Sequence, residues 1–510
     1  MLSKRAFLLL LVLGIAAFAG NLEPSGPPAG TMKPLDQVEP RTAITSVPFT
    51  ISTKGSYYLT KNLTATGTAI TVSADDVTID LCGFTLTGPG AGGMNYGISM
   101  ESRNNVEIRN GVVKNFGIFG IYGYGGTNLR AIGIRSFSNG KGGIYFYSIN
   151  SLIKDCTVSD NGTGATGVIY GIFINGNSIA SGNTIYNNGA SALTGSFIHG
   201  ICAINEGCTI TGNVVYANGG LAASGNSVYG ISAGSGSIVT GNTVCSNGSF
   251  DASTQSGIFA SGGSKVADNT VRLNFGVGIK TADNTIISGN AVTNNLGNGI
   301  QATARCSISN NQSILNNSYG ISMGDNCTAV GNIASSNTNN GINTGLYCSI
   351  SNCTANSNTQ RGIYAGDYSS ITNCTASQNS QDGIWGMSYS SITGCNAGNN
   401  QKVGIFCWRG KVIANTASNN NQVNDAGGAG IQVWYSSLVR DNMLMDNKQN
   451  GLYIHDAGSS IENNTIQGSG AGIYFTNTSG NYYKDNRVNN CTTPWVNAGT
   501  NINGGGNVSF

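Results

Sequence analysis

Proline is missing from residues 90 to 493. All eight prolines stand at Pro24, Pro27, Pro28, Pro34, Pro40, Pro48, Pro89 and Pro494. A parallel strand ladder uses each backbone N–H as a donor and a proline would delete one, so the gap reads as one uninterrupted body. Charge is scarce, at 9% of residues. Strong helix formers are rare in the repeated part of the chain, which excludes the helical repeat folds. Histidine occurs twice, so a nitrogen-rich metal centre lacks its ligands. Past residue 19 no apolar run is long enough to cross a bilayer. The leucine-rich pattern and the calcium-binding G-G-x-G-x-D nonapeptide are absent as well.

What fills the chain is a repeat. Glycine recurs every 21 residues at Gly278, Gly299, Gly320, Gly341, Gly362, Gly383 and Gly404, each followed by isoleucine. An asparagine column keeps the same period through Asn295, Asn316, Asn337, Asn358, Asn379 and Asn400. A third column runs Ile287, Ile308, Val330 (one place late), Ile350, Ile371, Ile392. Apolar residues come in pairs two apart, such as Ile405 with Cys407 and Ile431 with Val433. That is strand alternation with one face buried. With 75 glycines for tight corners, the period predicts a coil of short parallel strands, each stacked on its equivalent in the next coil. Like residues then lie about 4.8 Å apart, and an asparagine column can donate amide to amide along the stack.

The first 19 residues have the form of a secretory signal: Lys4 and Arg5, an apolar run from Ala6 to Phe18, and Ala17-Phe18-Ala19 as the cleavage site. No cysteine follows that site, as a lipoprotein anchor would need. Removing residues 1–19 leaves 23 basic against 23 acidic residues, from 25 and 23 in the whole chain. A balanced charge argues against a general polyanion binder, nucleic acid included. Residues 20–48 read as a proline-rich linker, 49–96 as an N-terminal cap and first coil, 97–480 as the repeats, and 481–510 as a C-terminal cap. Seventeen glycine positions from Gly97 to Gly472 predict about 17 coils, a rod of roughly 80 Å. Inserts such as GTGATGV before Tyr170 lengthen the earlier coils and map to corner loops.

TMKPLDQVEPRTAI, GSYYLTKNLT and VTIDLCGFTLTG, followed by the G-I…S-I-x-x-N…N repeats, resemble secreted bacterial right-handed β-helix proteins. These belong to the pectate-lyase-like superfamily with NosD-like, or parallel β-helix, repeats. The resemblance covers most of the mature chain. It implies an all-β, single-stranded, right-handed parallel β-helix solenoid, exported to the periplasm or cell surface. The superfamily's catalytic motifs are not found. R-x-P-x-x-R is absent from the coil body, as are N-T-D, G-H-G, R-I-K and D-P-H-D. Asp75-Asp76 is the one D-D and falls in the N-terminal cap.

Thirteen cysteines include two periodic sets, Cys306, Cys327 and Cys348, then Cys353, Cys374 and Cys395. In-register side chains point the same way, so the sets read first as packed thiols, with disulfides or a soft-metal site as alternatives. Asp283, Asp325, Asp367 and Asp456 lie five residues after a repeat glycine and read as turn formers. No metal site and no cofactor are expected. In the Gly-Ile strands the residues that face outward form two columns. One reads Tyr364, Trp385, Phe406, Gln432, Tyr453, Tyr474, and the other Gly366, Met387, Trp408, Trp434, His455, Thr476. Upstream the same columns hold Tyr122 and Tyr124, Tyr145 and Tyr147, then Phe173. The aromatic residues form either an exposed platform for sugars or a ladder that packs parallel strands. Arg361, Lys402, Arg409 and Asp456 lie at the margins. His455-Asp456 carries little weight as a pair, since adjacent strand residues face opposite ways.

Three readings follow. The first is a protein that binds, or binds and processes, polysaccharide or cell-surface glycan through Tyr364, Trp385, Phe406, Trp408, Arg409, Trp434, Tyr453, His455 and Asp456. The second is a structural or adhesive surface protein. The third is a periplasmic metal-handling protein.

Overall fold

The computed structural model describes residues 40–90, 92–223, 225–250, 254–423 and 427–510. The expected signal segment and most of the expected proline-rich linker lie outside them. The main body runs from Ala43 to Phe510. Among the described residues it contains strands and turns and no helix.

Each coil has three short strands separated by three corners. The coil that begins at Gly299 supplies Ile300–Ala302, Ser307–Ser309 and Gln312–Ile314. Each strand pairs in parallel with its equivalent one coil away, as in Ile300↔Ile321, Ile308↔Ala329 and Ser313↔Ala334. Ile300, Ile308 and Ser313 point inward and are buried, while Gln301 between two inward residues points out. Ile308↔Ala329 also corrects the third column. Ala329 holds the core position, and Val330 stands one place further on with its side chain turned away. The apparent drift is a substitution of alanine for isoleucine.

The corners carry the polar order. At the third corner the backbone N–H of Asn337 and its Nδ2 both donate to Oδ1 of Asn358, at 3.0 and 3.1 Å. Asn358 repeats this toward Asn379, and its Nδ2 also reaches the Ala334 carbonyl at 3.0 Å. The ladder continues from Asn139 to Asn447 without a break, wherever the insertions fall. A second asparagine ladder, absent from the sequence reading, occupies the second corner from Asn183 to Asn332. Cys353, Cys374 and Cys395 then replace it, and it resumes from Asn415 to Asn507. Cys306, Cys327 and Cys348 stack at the first corner. All thirteen cysteines are free thiols, and ten are buried. Burial pushes the Cys156 and Cys407 thiols up to about 12. No group of three or more His, Cys, Asp or Glu side chains among the described residues is placed to share a metal ion.

The glycine column has a local cause. A Cβ on Gly341 would lie 2.5 Å from Asn358 Nδ2 and 2.8 Å from the Gly362 carbonyl oxygen. The glycine vacates the space that the corner asparagine of its own coil fills. Two columns 17 residues apart are therefore one packing unit.

The ladder is longer than the glycine count implies. Phe49–Ile51 and Ile70–Val72 stack below Ile98–Glu101 as full rungs, so residues 49–96 belong to the coil. Ile44, at the end of the expected linker, is buried in the core. Residues 481–510 continue the coil. Thr493–Val496 lies on Ala471–Phe475, Thr500–Asn503 on Ser479–Lys484, and Val508–Ser509 on Arg487–Asn489. Pro494 is tolerated there because it lies near the ladder's last rungs, where fewer donors are needed. The insertions of the earlier coils all follow the third-corner asparagine, and Ile169, Ala192, Ile198, Ala222 and Val228 form a small second core beneath them.

Asn358→Ala removes the acceptor of two Asn337 donors and strands the Ala334 carbonyl in a dry corner. Denaturant titration should show a loss of about 3 kcal/mol. Gly341→Ala should destabilise by about 1–3 kcal/mol through overpacking against the same amide. Thiol titration of the native protein should reach only Cys82, Cys245 and Cys491, and all thirteen after unfolding without reductant. Pairing among Cys306, Cys327 and Cys348 would contradict the packed stack.

Candidate aromatic site

The first strand of each coil sets the outward columns in register. Tyr364 lies beside Trp385, Trp385 beside Phe406, Phe406 beside Gln432, Gln432 beside Tyr453, and Tyr453 beside Tyr474. In the second column Trp408 lies beside Trp434 and Trp434 beside His455. The structure thus gathers the residues singled out from the sequence onto consecutive coils of one face.

Their packing differs from an open strip. Trp385 and Phe406 stack at 3.7 Å between centroids and 17° between planes, and Phe406 meets Trp434 edge-on at 5.7 Å. Phe406 is only 1% exposed, so it is a buried support and not a contact surface. The reason is the ladder itself. Rings one rung apart turn their faces along the coil axis and cover each other, leaving edges outward. Trp408 breaks this rule. It is tilted by 45° from Trp434 and by 41° from Tyr435, so its ring is not matched face to face on that side. Trp385, Trp408, Trp434 and Tyr453 are half-buried, and Arg409 is exposed. Trp434 Nε1 is buried without a hydrogen-bond partner among the described residues.

His455 and Asp456 do meet, against expectation. Asp456 follows the strand Asn450–His455 and has φ +66°, a left-handed turn that swings its carboxylate back to His455 Nδ1 at 2.8 Å. The imidazole also stacks on Trp434 at 4.6 Å. Its orientation is therefore fixed twice, and Nε2 carries no bond among the described residues. Asp283, Asp325 and Asp367 act as the turn formers expected. Each accepts a backbone N–H of the next coil, from Ala304, Leu346 and Ser388 respectively.

On one flank, Arg361 lies 4.2 Å over the Trp385 ring and pairs through Nε with Asp382 at 3.0 Å. Asp382 escaped the sequence reading. It is buried, and its other oxygen accepts the Val403 N–H at 3.1 Å. Asn298 and Asn340 do the same for Tyr319 and Arg361 at a spacing of two coils, which is the signal that marks the position. Burial raises the Asp382 carboxyl above the usual carboxylate range, although Arg361 pulls the other way. Arg361, Asp382, Trp385, Lys402 and Gln432 line a cavity of about 290 Å³ walled by Gly427 and Gly428 of the insertion.

On the other flank is a column the sequence reading missed. Tyr347, Tyr368 and Tyr389 stand at the first corner, exposed and stacked at 5.0 Å per step. Arg409 and Tyr435 extend it, with the guanidinium 5.8 Å from the Tyr389 ring and 5.4 Å from the Tyr435 ring. The 21-residue step from Tyr347 to Tyr389 was visible, but the column lies outside the strands.

Upstream, Tyr122, Tyr145 and Phe173 stack in the same way at 5.6 and 4.4 Å. Burial, and then neighbouring phenols and Glu101, push the Tyr122 hydroxyl up to about 12. Cys202 ends that column, so the two aromatic stretches are separate. The second histidine, His199, is buried between Tyr170 and Tyr229, and burial lowers it to about 4.

No curated protein matches the chain. Among solved structures, it is similar to pectate lyase Pel9A at 16% identity and a TM-score of 0.31, covering 50% of this chain and 70% of that one. It is similar to the Azotobacter vinelandii mannuronan C-5 epimerase AlgE4 A-module at 14% and 0.22, covering 89% and 91%. The periplasmic alginate epimerase AlgG follows at 12% and 0.30, covering 70% and 76%. Likenesses at this level say nothing of chemistry. The family described as right handed beta helix region matches residues 52–215, 344–442 and 429–510, well over half of the chain. With the parallel coil and its in-register columns in place, that match makes the chain a member of the right-handed β-helix family.

Proposed function

We propose that this protein binds polysaccharide across the outward face of the coils between Tyr364 and Tyr474, outside the cell or in the periplasm. The observation that carries the reading is the cluster of Trp385, Trp408, Trp434, Tyr453 and His455 on consecutive rungs, with Arg361 and Lys402 on one margin and Arg409 on the other. Such a surface offers apolar area for sugar rings and charged donors for their hydroxyl or carboxyl groups. Rungs repeat at about 4.8 Å, close to the rise of one sugar in an extended chain, so successive sugars meet equivalent positions. Asp456 holds His455 in one orientation, which suits a directed hydrogen bond to ligand. Processing of the bound chain would draw on that same imidazole. Export rests on the N-terminal segment from Lys4 to Ala19. No helix among the described residues is long and apolar enough to cross a membrane.

One observation favours a structural or adhesive role instead. Phe406 is buried, and the tyrosine rings of the corner stack face to face, as a ladder built for packing would. The double substitution Trp408→Ala and Trp434→Ala separates the two readings. On a glycan array it should weaken binding by at least about tenfold, the loss of about 1.4 kcal/mol or more of ring contact, with the far-UV spectrum unchanged. Equal binding by wild type and variant would leave the rings as packing alone.

A further inference from the structure

The first corner holds a cavity that neither the strand-face cluster nor the family explains. Its volume is about 530 Å³, and Tyr389, Ser391, Arg409, Lys411, Ser436 and Leu438 line it. It arises from a missing residue. Gly386 pairs with Cys407 and Ser391 with Lys411, so five steps in one coil face four in the next. The following coil restores the count, with Cys407 beside Val433 and Lys411 beside Leu438. One short corner between two full ones leaves a notch.

The notch is positively charged without a counter-charge. Arg361 is paired with Asp382, Arg305 with Asp283 and Arg440 with Asp441. Arg409 and Lys411 form no ion pair among the described residues. Arg409 instead lies between Tyr389 and Tyr435, its guanidinium 5.8 and 5.4 Å from the two ring centroids, and its Nη1 donates to the Tyr389 hydroxyl at 3.1 Å. The guanidinium is thus fixed in place while part of its donor set stays free.

The backbone marks the same spot. Tyr347, Tyr368, Tyr389, Arg409 and Tyr435 have φ between 55° and 61°, where earlier coils place Asn284, Arg305 (paired with Asp283) and Asn326. Asparagine tolerates that left-handed conformation, and bulky side chains resist it. Ring stacking offsets part of the cost. It does not account for the arginine or for the adjoining void.

The geometry points to this notch as a binding site for the oxyanion of an acidic sugar, a carboxylate or a sulfate ester. The proposal rests on the glycan reading above and narrows it to a charged ligand. Arg409 and Lys411 take the anionic group, the Ser391 and Ser436 hydroxyls hydrogen-bond to it, and the sugar ring rests against Leu438 and the Tyr389 edge. Trp408, tilted against Tyr435, links the notch to the strand-face cluster, so one chain can engage both.

Titration calorimetry with the full chain tests this. The probes are oligogalacturonate for carboxylate, dextran sulfate for sulfate ester, and a neutral cello-oligosaccharide. Wild type should bind at least one acidic probe more tightly than the neutral one, and added salt should weaken that binding. The acidic probe that binds identifies the oxyanion. Arg409→Gln with Lys411→Gln should weaken acidic binding by about tenfold or more and leave the neutral probe unchanged. Because Arg409 is wedged between two rings, Lys411→Glu alone serves as the second variant, with the same expected direction. Acidic binding that survives both variants but fails in Trp408→Ala/Trp434→Ala would overturn the notch and keep the glycan reading. A wild type that binds none of the three probes would overturn both.

Discussion

At each corner of this coil, a backbone N–H must find an acceptor in a place where water does not reach. Asparagine solves the problem with one side chain. Its oxygen accepts two donors from the previous coil, while its own amide reaches forward to the next asparagine and back to a strand carbonyl. A buried amide left unsatisfied would cost about 1–3 kcal/mol, so the ladder cannot be broken cheaply at one rung. The glycine column follows from it, because the asparagine occupies the glycine's missing Cβ position. The insertions follow too, since a loop can leave the coil after the corner asparagine and return before the next glycine without disturbing the bond.

This explains what could be read before the structure. Columns fixed by the core or the corners repeat at 21 residues, and they announced the parallel coil, its buried isoleucines and its asparagine ladder. The second asparagine ladder was hidden because Cys353, Cys374 and Cys395 interrupt it in the most regular coils. Thiols replace amides there because each sulfur still accepts weakly from a neighbour, as in the 3.4 Å contact from the Cys374 N–H to Cys395 Sγ. Val330 misled for the opposite reason. An isoleucine column had a small core residue, Ala329, where isoleucine was expected.

The outward residues were legible in register but not in packing. Alternation correctly placed Trp385, Trp408, Trp434 and Tyr453 on one face. It could not show that rings one rung apart cover one another, which buries Phe406. Nor could it show turns. The His455–Asp456 contact and the Tyr347–Tyr435 column both depend on left-handed residues just outside the strands, where the period-2 rule stops applying. The core demands repetition, and the corners and outward positions are where a coil can differ from its neighbour without cost to the ladder.

The central claim is that corner asparagines, more than strand length, hold the coil together. Native-state hydrogen exchange measures it directly. The backbone amides of Asn316, Asn337, Asn358 and Asn379 should be as protected as those of the inward isoleucines of the same coils, and should open only with the whole stretch. Fast exchange at these four amides, with the neighbouring strands still protected, would contradict the account.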